Sequence, residues 1–158
     1  MNIKSLVIGF LVGVVLTGAA GWLMMPGLMV QEYPSPLGVE ETVRHIEQKA
    51  VASGWVVSSV MPLDQSVKKH GGGELPPVRL VNLCQANHAH EILKDEDNRT
   101  VSVMMPCTIS VYRKDDGNTY VGAMNAGLLG KMFGGTVARV MGGDVAEAQR
   151  HFISFEDE

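Results

Sequence analysis

Two cysteines, one histidine and one methionine are the residues of this sequence whose types and spacing could support redox or metal chemistry. Cys84 follows a predicted strand and precedes a predicted helix, and His88 lies one helical turn further along on the same face. Cys107 opens another predicted strand, and Met124 ends the strand predicted to pair with it. Copper and haem iron accept thiolate, imidazole and thioether ligands. Cys84, Cys107, His88 and Met124 are therefore candidate ligands for copper or haem.

The cysteine pair also allows two readings that need no metal. If the two strands are neighbours, the sulfurs come close enough for a disulfide, which requires Cα atoms within about 7 Å of each other. A free cysteine can instead pack as a small apolar side chain. The sequence contains no CxxC, CxxCH or HxxxH motif that would decide between these readings. A disulfide, a metal site and buried thiols all remain open.

Other classes of function lack their sequence signatures. The chain has no GxSxG motif, no Walker loop and no GxGxxG motif, and no nucleophile and base stand in a catalytic arrangement. The formal net charge is −4, and the only adjacent basic pairs are Lys68-Lys69 and Arg113-Lys114. Nucleic-acid binding would need a basic patch, which is missing. These observations favour a non-enzymatic role without nucleic acid.

An uncharged apolar stretch near the N-terminus predicts a transmembrane helix. No charged residue lies between Lys4 and Glu32, and residues 5–25 reach about 31 Å as a helix, which matches the hydrocarbon core of a bilayer. Trp22 suits the far interface, and Pro26-Gly27 is expected to break the helix there. A cleavable signal peptide is the alternative, with small residues at 17–20 as its cleavage site. The apolar run continues to Val30, which favours an uncleaved anchor.

The charges that flank this segment predict its orientation. Lys4 precedes it, whereas Glu32, Glu40 and Glu41 are the first charges after it. The positive-inside rule then places the N-terminus in the cytoplasm. In a bacterium the protein would span the inner membrane once and carry its domain in the periplasm.

One face of the predicted anchor consists of small residues. Gly9, Gly13, Thr17 and Gly21 recur every four residues, a spacing that lets a second helix approach closely. The alternative is that glycine is simply common in membrane helices. As a packing face, the stripe would contact a second copy of the chain or another membrane subunit.

Helical and strand patterns mix along the remaining chain without strict alternation. This arrangement predicts an α+β fold, with a mostly antiparallel sheet packed with helices. The clearest unit is a hairpin whose turn is Asp115-Asp116-Gly117-Asn118. Asp144 is expected to cap the last helix. The predicted strands are 28–33, 55–60, 78–83, 107–113 and 119–124, and the predicted helices are 39–53, 64–70, 86–93, 128–133 and 144–152.

The order of several short motifs resembles a known family. A helix ends at Gly54 before a β-rich run, Pro76-Pro77 leads into a strand that ends at Cys84, and Pro106-Cys107 opens the hairpin that ends at Met124-Asn125. In this order over residues 28–133, the chain resembles the bacterial and archaeal family called domain of unknown function 302. Gln85-Ala86 stands where that family often has Asn-Pro, and Ala126 stands where Pro is common. The resemblance implies a compact α+β domain that tends to dimerise, and no established activity.

Three segments and one function follow from these patterns. Residues 1–27 are predicted to form the anchor, 28–135 the α+β domain and 136–158 a C-terminal helical extension. We expect a membrane-anchored periplasmic accessory or binding domain that belongs to a membrane complex or forms a homodimer. The alternative is a redox-active or metal- or haem-binding module that uses Cys84 and Cys107.

Overall fold

The computed structural model describes residues 3–155 and confirms the α+β class. Residues 1–2 of the predicted anchor and 156–158 of the predicted extension lie outside the described residues. The strands are β1 (Val30–Ser35), β2 (Val56–Pro62), β3 (Val78–Cys84), β4 (Cys107–Arg113) and β5 (Thr119–Met124). The helices are α1 (Ile3–Met29), α2 (Val39–Ala52), α3 (Leu63–Lys69), α4 (Ala86–Leu93), a 3₁₀ helix (Glu96–Met104), α5 (Ala126–Phe133), α6 (Gly135–Arg139), a π-helical segment (Val140–Val145) and α7 (Ala146–Phe152).

The five strands form one sheet in the order β1-β5-β4-β3-β2, and every neighbouring pair is antiparallel. The predicted hairpin of β4 and β5 is confirmed at both strands, and its turn contains Gly117 at φ 82°. Glycine adopts this left-handed conformation without the steric cost that a Cβ would add.

The register of the sheet brings five strand termini to one end. Val30 lies opposite Met124, Leu83 lies opposite Cys107, and Val56 lies opposite Cys84. We call this end of the sheet the anchor end, because α1 finishes at Met29, directly before Val30. The opposite end, which includes Ser35, Pro62, Val78, Arg113 and Thr119, is called the far end.

One continuous core joins the sheet to the helices. On the sheet, alternate residues such as Val81, Ile109 and Val121 are buried on the same face. Helix α2 buries the predicted apolar stripe against this face, including Ile46 and Ala50, and ends as predicted before Gly54 at φ 76°. The last helical segment contributes further side chains to the same cluster, namely Val137, Val140, Met141, Val145 and Phe152.

Asp144 does not cap the last helix, contrary to the sequence-based prediction. The chain reverses at Gly134 and Gly135, which both have positive φ, and then stays helical from Gly135 to Phe152. Asp144 lies inside the π-helical segment, with buried Met141 and Val145 near it. Burial of these apolar side chains keeps the segment helical, which overrides the local capping preference of an aspartate.

Helix α1 also differs from its predicted boundary. It continues through Pro26 to Met29, so the expected break at Pro26-Gly27 is wrong, and the first strand starts at Val30. Proline removes one helical hydrogen bond, yet long apolar helices tolerate this loss. The segment Val7–Met29 is long and apolar enough to cross a membrane, and no part of it is buried against the domain.

A close contact between two helices should make Gly130 sensitive to substitution. A Cβ at Gly130 would lie 2.4 Å from the backbone nitrogen of Gly142, whereas a Cβ at Gly143 would meet no atom within 4 Å. We therefore expect Gly130→Ala to lower the free energy of unfolding by about 1–3 kcal/mol, the usual cost of overpacking.

Gly143→Ala serves as the matched control, and we expect it to leave stability unchanged or slightly higher. Chemical denaturation followed by circular dichroism measures both variants. Equal stabilities for the two would contradict the close helix contact.

Candidate functional site

The two cysteines lie side by side at the anchor end of the sheet. Cys107 is the first residue of β4 and pairs with Leu83, the residue before Cys84 on the neighbouring strand. Both cysteines are free thiols, and both are partly buried. They line one cavity together with Trp55, Leu83, Gln85, His88, Ala89, Ile92, Met105, Pro106, Met141 and Val145.

Aromatic packing forms one wall of this cavity. Trp55 is only 7% exposed, and its ring meets the edge of Phe152 at a centroid distance of 5.4 Å. The imidazole of His88 lies 5.9 Å from the Trp55 ring. His88 therefore reaches the cysteine cavity from the first turn of α4, as its spacing from Cys84 predicts. No pattern in the sequence indicated that Trp55 would join them.

The small size of the cavity limits what it can hold. Its volume is about 30 Å³. This space suits a water molecule or a single ion, whereas small-molecule sites usually measure about 300–1,000 Å³. A haem does not fit the cavity in this conformation.

Met124 does not join the cysteines. Met124 is not among the residues that line the cavity, and its neighbour Ala123, which lies opposite Ile109, is the residue buried on the core face. Within residues 3–155, no three His, Cys, Asp or Glu side chains are grouped as a metal site. The four predicted ligands are therefore not assembled around one point.

Burial controls the chemistry of Cys107. Its pKa is raised to about 11, first by burial and then by the nearby Cys84. A buried thiol loses the solvation that a thiolate needs, so Cys107 stays protonated at neutral pH. The contribution of Cys84 to this increase agrees with the position of both thiols in the lining of one cavity.

Gln85 occupies the N-terminus of α4. Its side-chain oxygen accepts hydrogen bonds from the backbone N–H groups of Asn87 at 2.6 Å and His88 at 3.1 Å. These are amides that could otherwise stabilise an anion at the helix start. The departure from Asn-Pro at this point thus supplies a side-chain cap, and these amides are not free for a thiolate at Cys84.

A second feature at the anchor end joins α1 to the domain. The backbone N–H of Asn125 donates to the carbonyl of Met29 at 2.8 Å, and its side-chain amide donates to the carbonyl of Leu28 at 2.9 Å. Its side-chain oxygen accepts from the N–H of Leu128 at 3.0 Å and caps α5. One residue therefore satisfies two carbonyls at the end of α1 and one amide at the start of α5.

The small-residue face of α1 is open in the structure. A Cβ added at Gly9, Gly13 or Gly21 would meet no atom of the chain within 4 Å. Gly13 and Thr17 line a shallow groove on this helix with Phe10, Val14 and Gly18.

Comparison with known proteins assigns the family. Residues 31–154 match the family model described as domain of unknown function DUF302. The chain belongs to the DUF302 family. The match begins just after α1, so the apolar helix is an addition to the DUF302 domain. The match also includes most of the segment from residue 136 that was predicted as a C-terminal extension.

A solved DUF302 structure shares this fold. The crystal structure of an uncharacterized conserved DUF302 protein from Bacillus stearothermophilus superposes with a TM-score of 0.68 at 18% sequence identity. The alignment covers 79% of this chain and 95% of that one. No curated protein matches the chain.

The raised pKa of Cys107 predicts how its alkylation depends on pH. In a Cys84→Ser variant, which keeps the burial of Cys107 but removes the second thiol, we expect iodoacetamide to modify Cys107 at pH 8 at least about ten-fold more slowly in the folded chain than in the unfolded chain. The rate should keep rising with pH well above the ordinary value of 9.0, because burial, the larger cause of the raised pKa, is retained in this variant.

The control is the same variant unfolded in guanidinium chloride, with alkylation followed by mass spectrometry. A folded rate that levels off near pH 9 would show that burial does not hold the Cys107 thiol protonated. A slow rate with that ordinary pH profile would indicate steric protection alone.

Proposed function

We propose that this DUF302 protein is a single-pass membrane protein whose domain acts as a non-enzymatic accessory or binding module. Its N-terminus lies in the cytoplasm, and its domain lies on the periplasmic side of a bacterial inner membrane. The observation that carries the proposal is the exposed apolar surface of α1, which runs without a linker into β1.

Exposing the apolar side chains of α1 to water would cost a large free energy. Each large apolar side chain gains about 1.5–3 kcal/mol when it leaves water, so the exposed residues of Val7–Met29 together gain on the order of tens of kcal/mol. A bilayer removes this surface from water, and a helix satisfies its own backbone hydrogen bonds there. Phe10 and Leu16, for example, are 69% and 64% exposed to the surroundings of the chain.

The junction supports a positional role for the domain. Asn125 bonds the last carbonyls of α1, so the domain is attached directly to the helix and not through a flexible tether. An accessory subunit needs such a fixed position beside its partner. The flanking charges, Lys4 before the helix and Glu32 after it, support the proposed orientation.

The small-residue stripe supports a partner within the membrane. Gly9, Gly13, Thr17 and Gly21 leave a groove that the chain itself does not fill. Close helix packing in lipid depends on such small residues, because they let backbones approach. The proposed occupant is a helix of a second copy or of another membrane subunit.

The cavity favours thiol redox chemistry as a second candidate function. Cys84 and Cys107 line the same cavity, and thiol exchange with a disulfide-bearing protein could join them. In this reaction the thiolate of Cys84 attacks the partner's disulfide and releases one partner thiolate. Cys107 then gives up its proton, attacks Cys84 and releases the second. The domain gains a disulfide and the partner gains two thiols, and a Cys84→Ser chain cannot complete the reaction.

The proposed topology predicts which reporters work at the C-terminus. An alkaline phosphatase fused after Glu158 is expected to be active, because that enzyme requires the oxidising periplasm. A green fluorescent protein exported through the same route should stay dark. The double variant Lys4→Glu with Glu32→Lys reverses the flanking charges and is the control for orientation, and it should reduce phosphatase activity. For the natural chain, a fluorescent green fluorescent protein fusion together with an inactive phosphatase fusion would contradict the proposal.

The glycine stripe predicts a difference between two substitutions in α1. We expect Gly13→Leu to weaken association with the partner helix several-fold, because the larger side chain fills the groove. Ala19→Leu makes a similar change on another face of the helix and should leave association unchanged. Crosslinking in native membranes measures both variants, with membrane insertion checked by carbonate extraction. Equal crosslinking by the two variants would mean that the stripe is not an interface.

A further inference from the structure

The exposed apolar side chains of the domain are concentrated at its anchor end. Val30 and Val56 begin their strands there, and Val51 lies in the last turn of α2, just before β2. Val103 precedes β4 and is 87% exposed. Leu128, Met132 and Phe133 lie on α5, which starts at this same end after Asn125. Only two other large apolar side chains of the described domain are exposed, Met61 and Leu75, and they lie toward the far end.

The far end is charged instead. Arg79 forms ion pairs with Asp64 and Glu40 beside the start of β3, and Lys68 pairs with Glu74 nearby. The turn between β4 and β5 adds Lys114, Asp115 and Asp116. The exposed surface of the domain therefore changes from apolar beside α1 to charged at the far end.

Helix α5 has two distinct faces. Leu129 and Gly130 are buried, and Gly130 packs tightly against the backbone at Gly142. On the outer face, Leu128 and Met132 are one turn apart, and Met132 is 73% exposed beside Phe133. Lys131 is the only charged residue of this helix, and residues 117–143 contain no aspartate or glutamate. An exposed apolar face with a basic residue matches the headgroup layer of an anionic bilayer.

The position of α5 connects this face to α1. Asn125 caps α5 and also holds the carbonyls of Leu28 and Met29, so the first turn of α5 lies at the point where α1 meets the domain. Helices α1 and α5 approach each other directly, so a bilayer that surrounds α1 is in reach of this face.

We propose that the outer face of α5 lies in the headgroup layer of the phospholipid bilayer, with Leu128, Met132 and Phe133 inserted between the lipids. This inference rests on the proposed function, because α1 must span that bilayer. The anchor end of the sheet then rests on the membrane, and the cavity of Cys84 and Cys107 lies close to the lipid surface. The far end, with its ion pairs, faces the aqueous phase.

Photocrosslinking of the full chain to lipid tests this position. The photoreactive amino acid p-benzoylphenylalanine is placed at Phe133, where it resembles the natural side chain, in protein reconstituted into nanodiscs of phosphatidylglycerol and phosphatidylcholine with alkyne-tagged chains. The same amino acid at Leu75, an exposed apolar position toward the far end, is the matched control. A third probe at Val15 reports on α1 itself.

We expect tagged lipid adducts at Phe133 with a yield several-fold above Leu75, together with adducts at Val15. Adducts at Val15 with no more lipid at Phe133 than at Leu75 would overturn this inference and leave the anchor intact. The absence of adducts at Val15 would overturn the anchor and this inference together. Crosslinks from Phe133 to a second protein chain in place of lipid would also overturn the inference and assign the face to a protein partner.

A second substitution tests the contribution of the face to membrane contact. The double variant Met132→Ser with Phe133→Ser removes exposed side chains and no core contact, so the fold should be retained. Lipid adducts from a probe at Leu128 are expected to fall several-fold in this variant. Unchanged adducts at Leu128 would show that Met132 and Phe133 do not hold α5 at the lipid surface.

Discussion

The antiparallel register of the sheet is the constraint on which the remaining arrangement depends. Because β1 starts where α1 ends, and because each neighbour runs in the opposite direction, the start of β1 lies beside the end of β5, the start of β4 and the end of β3. Residues far apart in the chain, such as Val30, Cys84 and Cys107, therefore share one end of the sheet. A shift of one residue in any of these pairings would turn the core side chains outward, so burial of Val81, Ile109 and Val121 fixes the register.

Asn125 attaches the sheet directly to the end of α1. It follows β5 directly, at the end of the sheet where α1 arrives, and its amide groups satisfy carbonyls that a helix terminus leaves without partners. The same side chain caps α5, so the end of one helix and the start of another are held by one residue. The close contact between Gly130 and Gly142 then fixes α5 against the helical segment that completes the core.

Sequence patterns predicted the elements whose signals are local. Helix α4 and strands β4 and β5 have their predicted boundaries, because alternation, the Gly117 turn and the spacing of apolar residues all lie within a few residues of each other. The prediction failed at Pro26, where the long apolar helix continues through the proline, and at Asp144, where core packing overrides a local preference.

The site was predicted only in part for the same reason. Cys84, His88 and Cys107 come together as their positions on adjacent elements suggest, but Met124 lies on the opposite face by strand alternation. The part played by Trp55 depends on Phe152, nearly the whole domain away in sequence. The part played by Asn125 depends on the end of α1, and no short pattern in the sequence can show such a contact.

The absence of a linker between Met29 and Val30 also determines how the protein can move. Transmembrane helices tilt on average by about 20° from the bilayer normal. With a strand length of about 20 Å, a helix that pivots by this angle would sweep the distal loops sideways by roughly 7 Å, provided that the junction stays rigid. Rotation of the helix about its own axis would likewise turn the domain through the same angle. In the proposed membrane-anchored state, a small change in the tilt of α1 would therefore produce a larger displacement at the end of the domain that faces the solvent.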